Sequence, residues 1–435
     1  MAGLSPDSDI YGPAVYELLA GALGREHVRP ASEGDAVDGI QPGWVVEPAD
    51  AEELARILRQ AGEAGLRVIP RGGGTKLSWG NPPTGADVVL STRRLDRLVE
   101  HAWADMTATV QAGCTVAALQ QALAVHGQRL AVDPLWPERA TIGGILAAND
   151  SGTLRLRFGS LRDLIIGITL ALPDGTLAKS GGKVVKNVAG YDLPKLFTGS
   201  LGTLGVITEA TFRLHPLPDR ALTLSCRAGA SEPAALCQLM LKVLDSTLVP
   251  TGVQLRVYDH DLPRLDVRFE GVAAEAQAGR LRKLAPGVGC DCDYVGEASD
   301  PVWSERESLW RDRRSRCVVI CKVSVLSAQI CDFCLHVRRA ADQAGLRWRG
   351  VMQAVGVGLL RLEGAGEQVV AAVQDLRMYV ERMGGSLVVL DCPPAVKAVL
   401  DVWGDPGDAL ALMRRVKAQF DPRSTLNPGR FVGGI

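Results

Sequence analysis

Two glycine-rich stretches of the chain contain the residue types best suited to holding a bound anion. The first follows a short apolar run and consists of Pro70, Arg71, Gly72, Gly73, Gly74, Thr75 and Lys76. The second contains Thr141, Gly143, Gly144, Asn149, Ser151 and Gly152. Because glycine has no Cβ, the main-chain N–H groups of such loops can converge on a phosphate. Two loops of this kind predict a long, diphosphate-bearing cofactor that is held from both sides.

A third segment, residues 186–208, adds Gly190, Gly202 and Gly205 in a pattern that follows the two loops in order. Together the three segments resemble the FAD-binding domain of the vanillyl-alcohol oxidase and p-cresol methylhydroxylase (PCMH) superfamily, over residues 42–217. The likeness returns in the tail, at residues 420–429. Within the superfamily, the chain resembles the FAD-binding subunits of bacterial glycolate oxidase (glycolate dehydrogenase) complexes.

The resemblance implies FAD contacts on both glycine-rich stretches and at six further positions. These are Asp133, Pro134, Gly205, Val206, Ile207 and Asn427. A nicotinamide site is disfavoured, because no strand is followed by Gly-x-Gly-x-x-Gly with an acidic residue about twenty positions later. In relatives that attach FAD covalently, a histidine ends the first loop. Here Thr75 takes that position, and its hydroxyl cannot replace the imidazole link, so noncovalent FAD is expected.

The histidines bear on the catalytic chemistry. Related autonomous D-2-hydroxyacid dehydrogenases carry a His-x-His-x-Gly-Asp-Gly-Asn segment in the cap, which supplies metal ligands and a catalytic histidine. None of the six histidines stands in such a segment: His27, His101, His126, His215, His260 and His336. We therefore assign no catalytic base and expect no metal site. Four cap arginines, Arg256, Arg268, Arg349 and Arg361, could bind a carboxylate, but the sequence does not choose among them.

Four of the ten cysteines are close together in sequence, at Cys317, Cys321, Cys331 and Cys334. Alternation predicts a strand for the first two, and a helix follows with the second two. Thiols in such apolar elements usually pack as small hydrophobic groups, and no spacing matches a ferredoxin cluster. We therefore expect no metal there. Disulfides are not expected either, since the chain shows no export signal.

Composition limits the remaining possibilities. A length of 435 residues exceeds one ordinary core, so more than one domain is expected. Lys and Arg (48) balance Asp and Glu (49), which argues against nucleic-acid binding. The first residues lack the basic start and apolar core of a signal peptide, which favours a cytoplasmic protein. The resemblance adds peripheral association with the inner membrane through a complex.

Periodicity predicts an α+β protein, and the resemblance divides it into four parts. An N-terminal helical segment (1–41) precedes a two-lobed PCMH-type FAD-binding domain (42–217). From residue 221 onward, helices alternate with strand pairs of antiparallel character, which predicts an α+β cap of antiparallel sheet and helices (218–405). The tail (406–435) is expected to return to the FAD domain.

The resemblance implies a subunit of a glycolate dehydrogenase complex, which oxidises glycolate to glyoxylate by hydride transfer to flavin. Its implied partners are a larger flavin subunit and an iron–sulfur subunit of glycolate oxidase, with a small 2-hydroxy acid as substrate. Two alternatives stay open. One is a self-sufficient FAD-dependent D-2-hydroxyacid dehydrogenase, and the other is a non-catalytic FAD-carrying subunit for assembly or electron relay.

Overall fold

The chain forms two compact units, each assembled from separate parts of the sequence. The computed structural model describes residues 12–183, 191–229, 233–296, 301–311 and 317–435. The first unit combines the described part of Met1–Ser151 with Ser160–Leu217 and Asp405–Ile435. The second combines Gly152–Gly159 with Pro218–Gly404, less its undescribed residues. The mixed helix and sheet content confirms the predicted α+β class.

The first unit contains a four-stranded sheet that leads into the first glycine loop. Its strands are β1 (Val28–Pro30), β2 (Trp44–Val46), β3 (Val68–Arg71) and β4 (Val88–Ser91), in the order β1-β2-β4-β3. Strands β2 and β3 run parallel to β4, whereas β1 is antiparallel to β2. Because β3 ends at Arg71, the glycine loop leaves the carboxyl end of a strand whose first two residues are buried.

A five-stranded antiparallel sheet forms the second layer of this unit. Its strands are β5 (Leu98–Ala102), β6 (Thr107–Gln111), β8 (Ile165–Ala171), β9 (Leu177–Gly181) and β10 (Val206–Arg213), in the order β5-β6-β10-β8-β9. A separate ribbon pairs β7 (Gln128–Arg129) with β11 (His215–Pro216). The central strand β10 therefore begins at Val206, one of the residues expected to contact the cofactor.

Helices cover both sheets of the first unit. They are α1 (Pro13–Leu23), α2 (Ala51–Glu63), α3 (Val116–Ala124), α4 (Ile142–Ala148), α6 (Leu161–Leu164), α7 (Leu193–Phe197) and α14 (Ala409–Phe420). Helix α2 begins where the Asp50 side chain accepts a hydrogen bond from the Glu53 amide at 2.7 Å. Its Leu54, Ile57 and Leu58 follow helical spacing and are fully buried, so they fix the helix against the sheet.

The second unit is built on one eight-stranded antiparallel sheet. Its strands are β12 (Ala221–Ala228), β13 (Gly252–Tyr258), β14 (Arg264–Glu270), β15 (Cys290–Gly296), β16 (Cys317–Ser324), β17 (Arg347–Gln353), β18 (Val357–Gly364) and β19 (Ser386–Asp391). They lie in the order β15-β12-β14-β13-β17-β18-β16-β19. The helices of this unit are α5 (Arg155–Phe158), α8 (Ala234–Leu244), α9 (Ala274–Leu284), α10 (Glu305–Ser308), α11 (Ile330–Ala344), α12 (Gly366–Arg382) and α13 (Pro394–Lys397).

The two faces of this sheet differ in chemistry. One face packs its apolar residues against α8, α9, α11 and α12 in a single core. The other is polar and is crossed by residues 301–311, which we call the covering segment. Trp303 Nε1 donates to Thr223 Oγ1 on β12 at 2.9 Å, and Trp310 Nε1 donates to Asp391 Oδ2 at the end of β19, also at 2.9 Å. The covering segment is therefore attached near both edges of the sheet.

The structure corrects the expectation that disulfides are absent. Cys226 on β12 and Cys292 on β15 are bonded, although 66 residues separate them in sequence. The expectation is wrong at this pair because the strand register places the two residues directly opposite each other. Sequence spacing carries no information about such a cross-strand neighbour.

The suggested cysteine cluster lies in the apolar core of the second unit. Cys321 is on β16 and Cys334 is on α11, and both are buried. Burial raises the pKa of the Cys321 thiol to about 12 and that of Cys334 well above its usual value. Within the described residues, no group of three or more His, Cys, Asp and Glu is arranged to hold a metal ion. The absence of a metal in the protein stays a prediction.

His260 lies beside an acidic residue at the surface. Its side chain is 80% exposed, and Nε2 is 3.5 Å from Asp259 Oδ2.

Among the helices of the described ranges, none combines the length and apolar character that crossing a bilayer requires.

A buried lysine attaches the tail to the first unit. Lys417 Nζ donates to the Thr203 carbonyl (2.7 Å), to Asp421 Oδ2 (2.6 Å) and to the Leu426 carbonyl (3.0 Å). Asp421 in turn accepts from the amide of Leu426 at 2.8 Å. Burial lowers the Lys417 pKa, while Asp421 raises it. The charge pair therefore connects α14 to the residues that follow it and to the loop that contains Thr203.

We predict that Lys417→Met destabilises the first unit strongly. The substitution leaves Asp421 buried without its cation, a change that typically costs about 3–5 kcal/mol. Urea unfolding of the purified chain measures the effect, with Arg415→Met on the exposed side of the same helix as the control. The control should stay within about 0.5 kcal/mol of the parent. A Lys417→Met protein as stable as the Arg415→Met protein would contradict the assignment.

Candidate cofactor-binding site

A groove runs along the first glycine loop in the first unit. It consists of two adjoining cavities of about 70 Å³ each. Both are lined by residues 70–72 of the loop, by Gly144 and Ala147 of α4, and by Leu201. The groove therefore lies where β3, α4 and the loop after α7 meet.

The first glycine loop packs closely against the start of the second, through the Arg139 backbone and the Thr141 side chain. A Cβ placed on Gly73 would lie 1.7 Å from the Arg139 carbonyl oxygen, and one on Gly72 would lie 2.1 Å from Thr141 Oγ1. No larger residue fits at such distances, so glycine is required here for the close approach itself. Gly74 adopts a left-handed conformation, with φ +74°, which also favours glycine.

The first loop offers unused hydrogen-bond donors to the groove. Among the described residues, the amides of Gly73, Gly74 and Thr75 have no protein acceptor. Groups of consecutive main-chain N–H donors form concave sites that suit phosphate oxygens. The loop therefore has the chemistry expected of a diphosphate cradle.

Lys76 and Asp150 connect the ends of the two loops. Lys76 Nζ lies 3.2 Å from Asp150 Oδ2, and both side chains are more than nine-tenths buried. Asp150 Oδ2 also accepts from the Leu135 amide at 2.9 Å. The Lys76 ammonium lies 5.7 Å from the ring of Trp79 and 5.5 Å from that of Trp136. This pair fixes the spacing of the loops because each charge would be costly to bury alone.

The tail contributes two polar residues to the groove. Asn427 has φ 45°, and its Nδ2 donates to the Leu201 carbonyl at 2.6 Å. Arg430 Nη2 donates to the Trp79 carbonyl at 2.7 Å. Burial lowers the pKa of Arg430 to about 10, so its guanidinium remains charged at neutral pH and adds positive potential to the groove.

Most of the predicted cofactor residues come together in this groove. Those that line it are Pro70, Arg71, Gly72, Gly73, Gly74, Thr75, Lys76, Thr141, Gly143, Gly144, Gly205, Val206, Ile207 and Asn427. Residues 186–190 of the third segment lie outside the described residues. Several lining residues were not predicted: Leu77, Thr92, Ala112, Ala147, Ala148, Ser200, Leu201, Gly202 and Arg430. The run from Gly199 to Gly202 belonged to the recognised third segment, so its glycines were the available signal.

Five predicted residues do not line either cavity: Asp133, Pro134, Asn149, Ser151 and Gly152. Two of them support the second loop instead. The Asp133 amide donates to the Ser151 carbonyl at 3.2 Å, and Ser151 Oγ accepts from the Leu161 amide at 3.0 Å. Gly152 belongs to the second unit. The sequence pattern identified the loop but not which of its side chains face the groove.

Two segments of the chain match known families. Residues 42–181 match a family described as FAD binding domain, and residues 405–431 match FAD linked oxidases, C-terminal domain. Among solved structures, 4-ethylphenol oxidase from Gulosibacter chungangensis superposes with a TM-score of 0.75 over 99% of this chain and 98% of that one, at 14% identity. The chain belongs to the FAD-linked oxidase superfamily. The resemblance to PCMH-type flavoproteins is thereby confirmed, and FAD is the cofactor.

Two curated relatives align with almost the whole of this FAD-linked oxidoreductase. Glycolate oxidase subunit GlcD of Bacillus subtilis is 27% identical, with 96% of each chain covered. D-lactate dehydrogenase of Archaeoglobus fulgidus is 28% identical, with 89% of this chain and 91% of the relative covered. The two family matches cover only residues 152–159 of the second unit. Because the alignments with the two relatives span almost the whole chain, these relatives share the second unit as well.

The residues present fit FAD. Buried polar atoms in native proteins nearly always have a partner, yet Asn427 Oδ1 in the groove is buried and has none among the described residues. With the unused loop amides, it combines an acceptor with donors, as a flavin dinucleotide with a diphosphate and several hydroxyl groups requires.

We predict that Gly73→Ala abolishes flavin retention. Its Cβ would collide with the Arg139 carbonyl and separate the two loops. The ratio of flavin to protein absorbance, measured on soluble chain, tests this. Gly34→Ala is the matched control, because its Cβ would meet only Ser32 Oγ, at 3.8 Å. A folded Gly73→Ala protein with full flavin content would show that the loop contact does not control the groove.

We also predict that the FAD is held without a covalent bond. Thr75 lacks the nucleophilic ring nitrogen that covalent attachment through this loop position needs. Acid precipitation should release the yellow colour to the supernatant, and native mass spectrometry should show dissociable FAD. Flavin that stays with the precipitated chain would contradict this prediction and require a different attachment residue.

Proposed function

We propose that this chain is the FAD-carrying component of a glycolate dehydrogenase complex, which oxidises glycolate to glyoxylate. The observation that supports it best is the glycine-lined groove, in a chain that aligns end to end with a glycolate oxidase subunit. A larger flavin subunit and an iron–sulfur subunit would complete the complex. In this proposal the chain works in the cytoplasm and reaches the inner membrane only through those partners.

The residues of the groove would divide the task of holding the cofactor. The amides of residues 73–75 would bind the diphosphate, and Arg430 would help to balance its charge. Asn427 would bind through the Oδ1 that has no protein partner among the described residues. Bound FAD would supply the two-electron acceptor that oxidation of an α-hydroxyl group needs.

A self-sufficient D-2-hydroxyacid dehydrogenase is the second candidate. The alignment with D-lactate dehydrogenase favours it, since that relative matches nearly as much of the chain as the glycolate oxidase subunit does. The sequence favours the complex, because no His-x-His segment is present to supply a base. The absence of this segment also keeps a non-catalytic assembly or electron-relay role as a third candidate.

We predict that the isolated chain oxidises glycolate poorly. Loss of a general base typically lowers a rate by about 10²–10⁴-fold. Anaerobic mixing with glycolate should leave the flavin of the lone chain oxidised, whereas the complex reconstituted with its co-expressed partners should lose its oxidised-flavin absorbance. D-lactate and L-lactate, mixed in the same way, control for substrate choice and for stereochemistry.

Each outcome of this experiment selects one candidate. Rapid bleaching of the lone chain by D-lactate or glycolate would replace the complex by the self-sufficient dehydrogenase. A complex that oxidises glycolate while the flavin of this chain stays oxidised throughout would favour the non-catalytic role.

A further inference from the structure

The second unit contains a cavity with no place in the flavin chemistry described above. Its volume is about 740 Å³, and it lies on the polar face of the sheet, at one end of β13, β14, β17 and β18. The lining residues that matter here are Arg256, Tyr258, Arg264, Glu305, Arg349 and Arg361. Glu305 comes from the covering segment, and the others come from the strands.

Five arginines line the cavity. Two of them, Arg256 and Arg361, are engaged by several protein groups, and Arg347 lies 3.7 Å from Asp259 Oδ2. Arg256 forms a two-point pair with Asp266, at 2.7 and 3.0 Å. Arg361 is 2% exposed and donates to the carbonyl oxygens of Leu309 and Arg311 and to Glu363, at 2.7, 2.6 and 2.9 Å. These two arginines hold the sheet and the covering segment together, so their charges are not available to a ligand.

Arg349 and Arg264 differ from that pair. Both are partly buried, and neither has a hydrogen bond or ion pair with any residue that the structure describes. The strand register places Arg349 directly opposite Tyr258 on one side and Arg361 on the other. Arg361 has Glu363 as its counter-ion at 2.9 Å, whereas Arg349 has none among the described residues. Like charges opposite each other on neighbouring strands are destabilising, so an anion beside Arg349 would complete the neutralisation of this pair.

Tyr258 and Glu305 add one donor and one acceptor to the lining of the same cavity. The Tyr258 hydroxyl accepts from Arg256 Nη1 at 3.2 Å, which leaves its own proton free to donate. Burial raises the pKa of Tyr258, and Glu305 raises it further while Arg256 lowers it, so the phenol stays protonated at neutral pH. Glu305 Oε1 accepts from Ser308 Oγ at 3.0 Å, and the carboxylate has capacity for a second donor.

We propose that this cavity binds a small 2-hydroxycarboxylate. Arg349 and Tyr258 take the carboxylate, and Glu305 accepts the hydrogen bond of the ligand's hydroxyl group. A guanidinium and a phenol suit a carboxylate, and a negative acceptor nearby discriminates against anions that have no donor. The choice of hydroxy acids as the ligand class rests on the proposed function. The observation that Arg349 has no partner among the described residues does not depend on that function.

The test uses a ligand that cannot be oxidised. 2-Hydroxyisobutyrate carries the carboxylate and the hydroxyl but has no α-hydrogen, so its binding is separate from flavin reduction. Calorimetric titration of the FAD-loaded full chain compares it with isobutyrate, which lacks the hydroxyl, and with 2-hydroxyisobutyramide, which lacks the charge. The expected order of affinity is 2-hydroxyisobutyrate first, isobutyrate second, and no measurable binding of the amide.

Two arginine variants locate the anion contact. Arg349→Gln should weaken 2-hydroxyisobutyrate roughly ten- to hundredfold, the loss typical of one charge-assisted pair. Arg264→Gln is the matched control, because Arg264 also lines this cavity and has no partner in the described part of the chain, but its strand lies on the far side of β13 from Arg349. It should weaken binding by less than about threefold, as expected of a screened, more distant charge. Equal losses in the two variants would overturn the assignment to Arg349.

The hydroxyl contact is tested with Glu305→Ala. This variant should bind 2-hydroxyisobutyrate and isobutyrate equally, whereas Arg349→Gln should weaken both ligands. Thermal unfolding and flavin content confirm that each variant is folded. No binding to the parent chain, or inorganic phosphate binding as tightly as 2-hydroxyisobutyrate, would overturn the proposal. If 2-hydroxyisobutyrate binds through Arg349 but glycolate reduces the flavin of neither the lone chain nor the complex, the proposed function fails and the anion site stands.

Discussion

The cofactor groove depends on one constraint, the close approach of Gly72 and Gly73 to Thr141 and Arg139. The first loop approaches the second so closely that a single methyl group would overlap Arg139 or Thr141. The first loop leaves β3, and the segment that it contacts leads into α4. This contact therefore fixes the four-stranded sheet relative to the helix that borders the five-stranded sheet. Lys76 and Asp150 then hold the same spacing with a buried charge pair. The donors that a diphosphate requires are thus positioned before the ligand arrives, which lowers the entropic cost of binding.

The sequence allowed much of this groove to be predicted because local patterns determine it. An apolar run that ends in consecutive glycines identifies a strand followed by an anion-binding loop, and β3 with residues 72–75 follows that pattern. The sequence did not show which side chains face the cavities. Ser151 lies in the recognised loop, but its hydroxyl accepts from Leu161 rather than facing the cavity. Leu201 was missed because it contributes through its position and its carbonyl, which accepts from Asn427, and its residue type gives no signal.

Strand register explains the features of the second unit that no pattern in the sequence could reveal. The bond between Cys226 and Cys292, and the alignment of Tyr258, Arg349 and Arg361, both arise from pairing between distant segments. Alternation does predict that polar residues share one face of β13 and β17. It cannot predict that Arg256 finds Asp266 while Arg349 finds no partner among the described residues. The four cap arginines are equivalent in the sequence and differ only once the sheet is assembled.

The return of the tail to the first unit has a consequence for biosynthesis. Leu426 forms a bridge to Val68 at the start of β3, and Asn427 and Arg430 line the groove. Almost the entire second unit lies between these residues and the glycine loops in the sequence. A ribosome therefore releases both loops long before it makes the residues that complete the groove. At the usual elongation rate of about 5–20 residues per second, the nascent first unit waits on the order of ten seconds or more for its last segment. The groove is therefore completed only late in the synthesis of this protein, and a chain interrupted within the second unit would have both glycine loops but an incomplete groove.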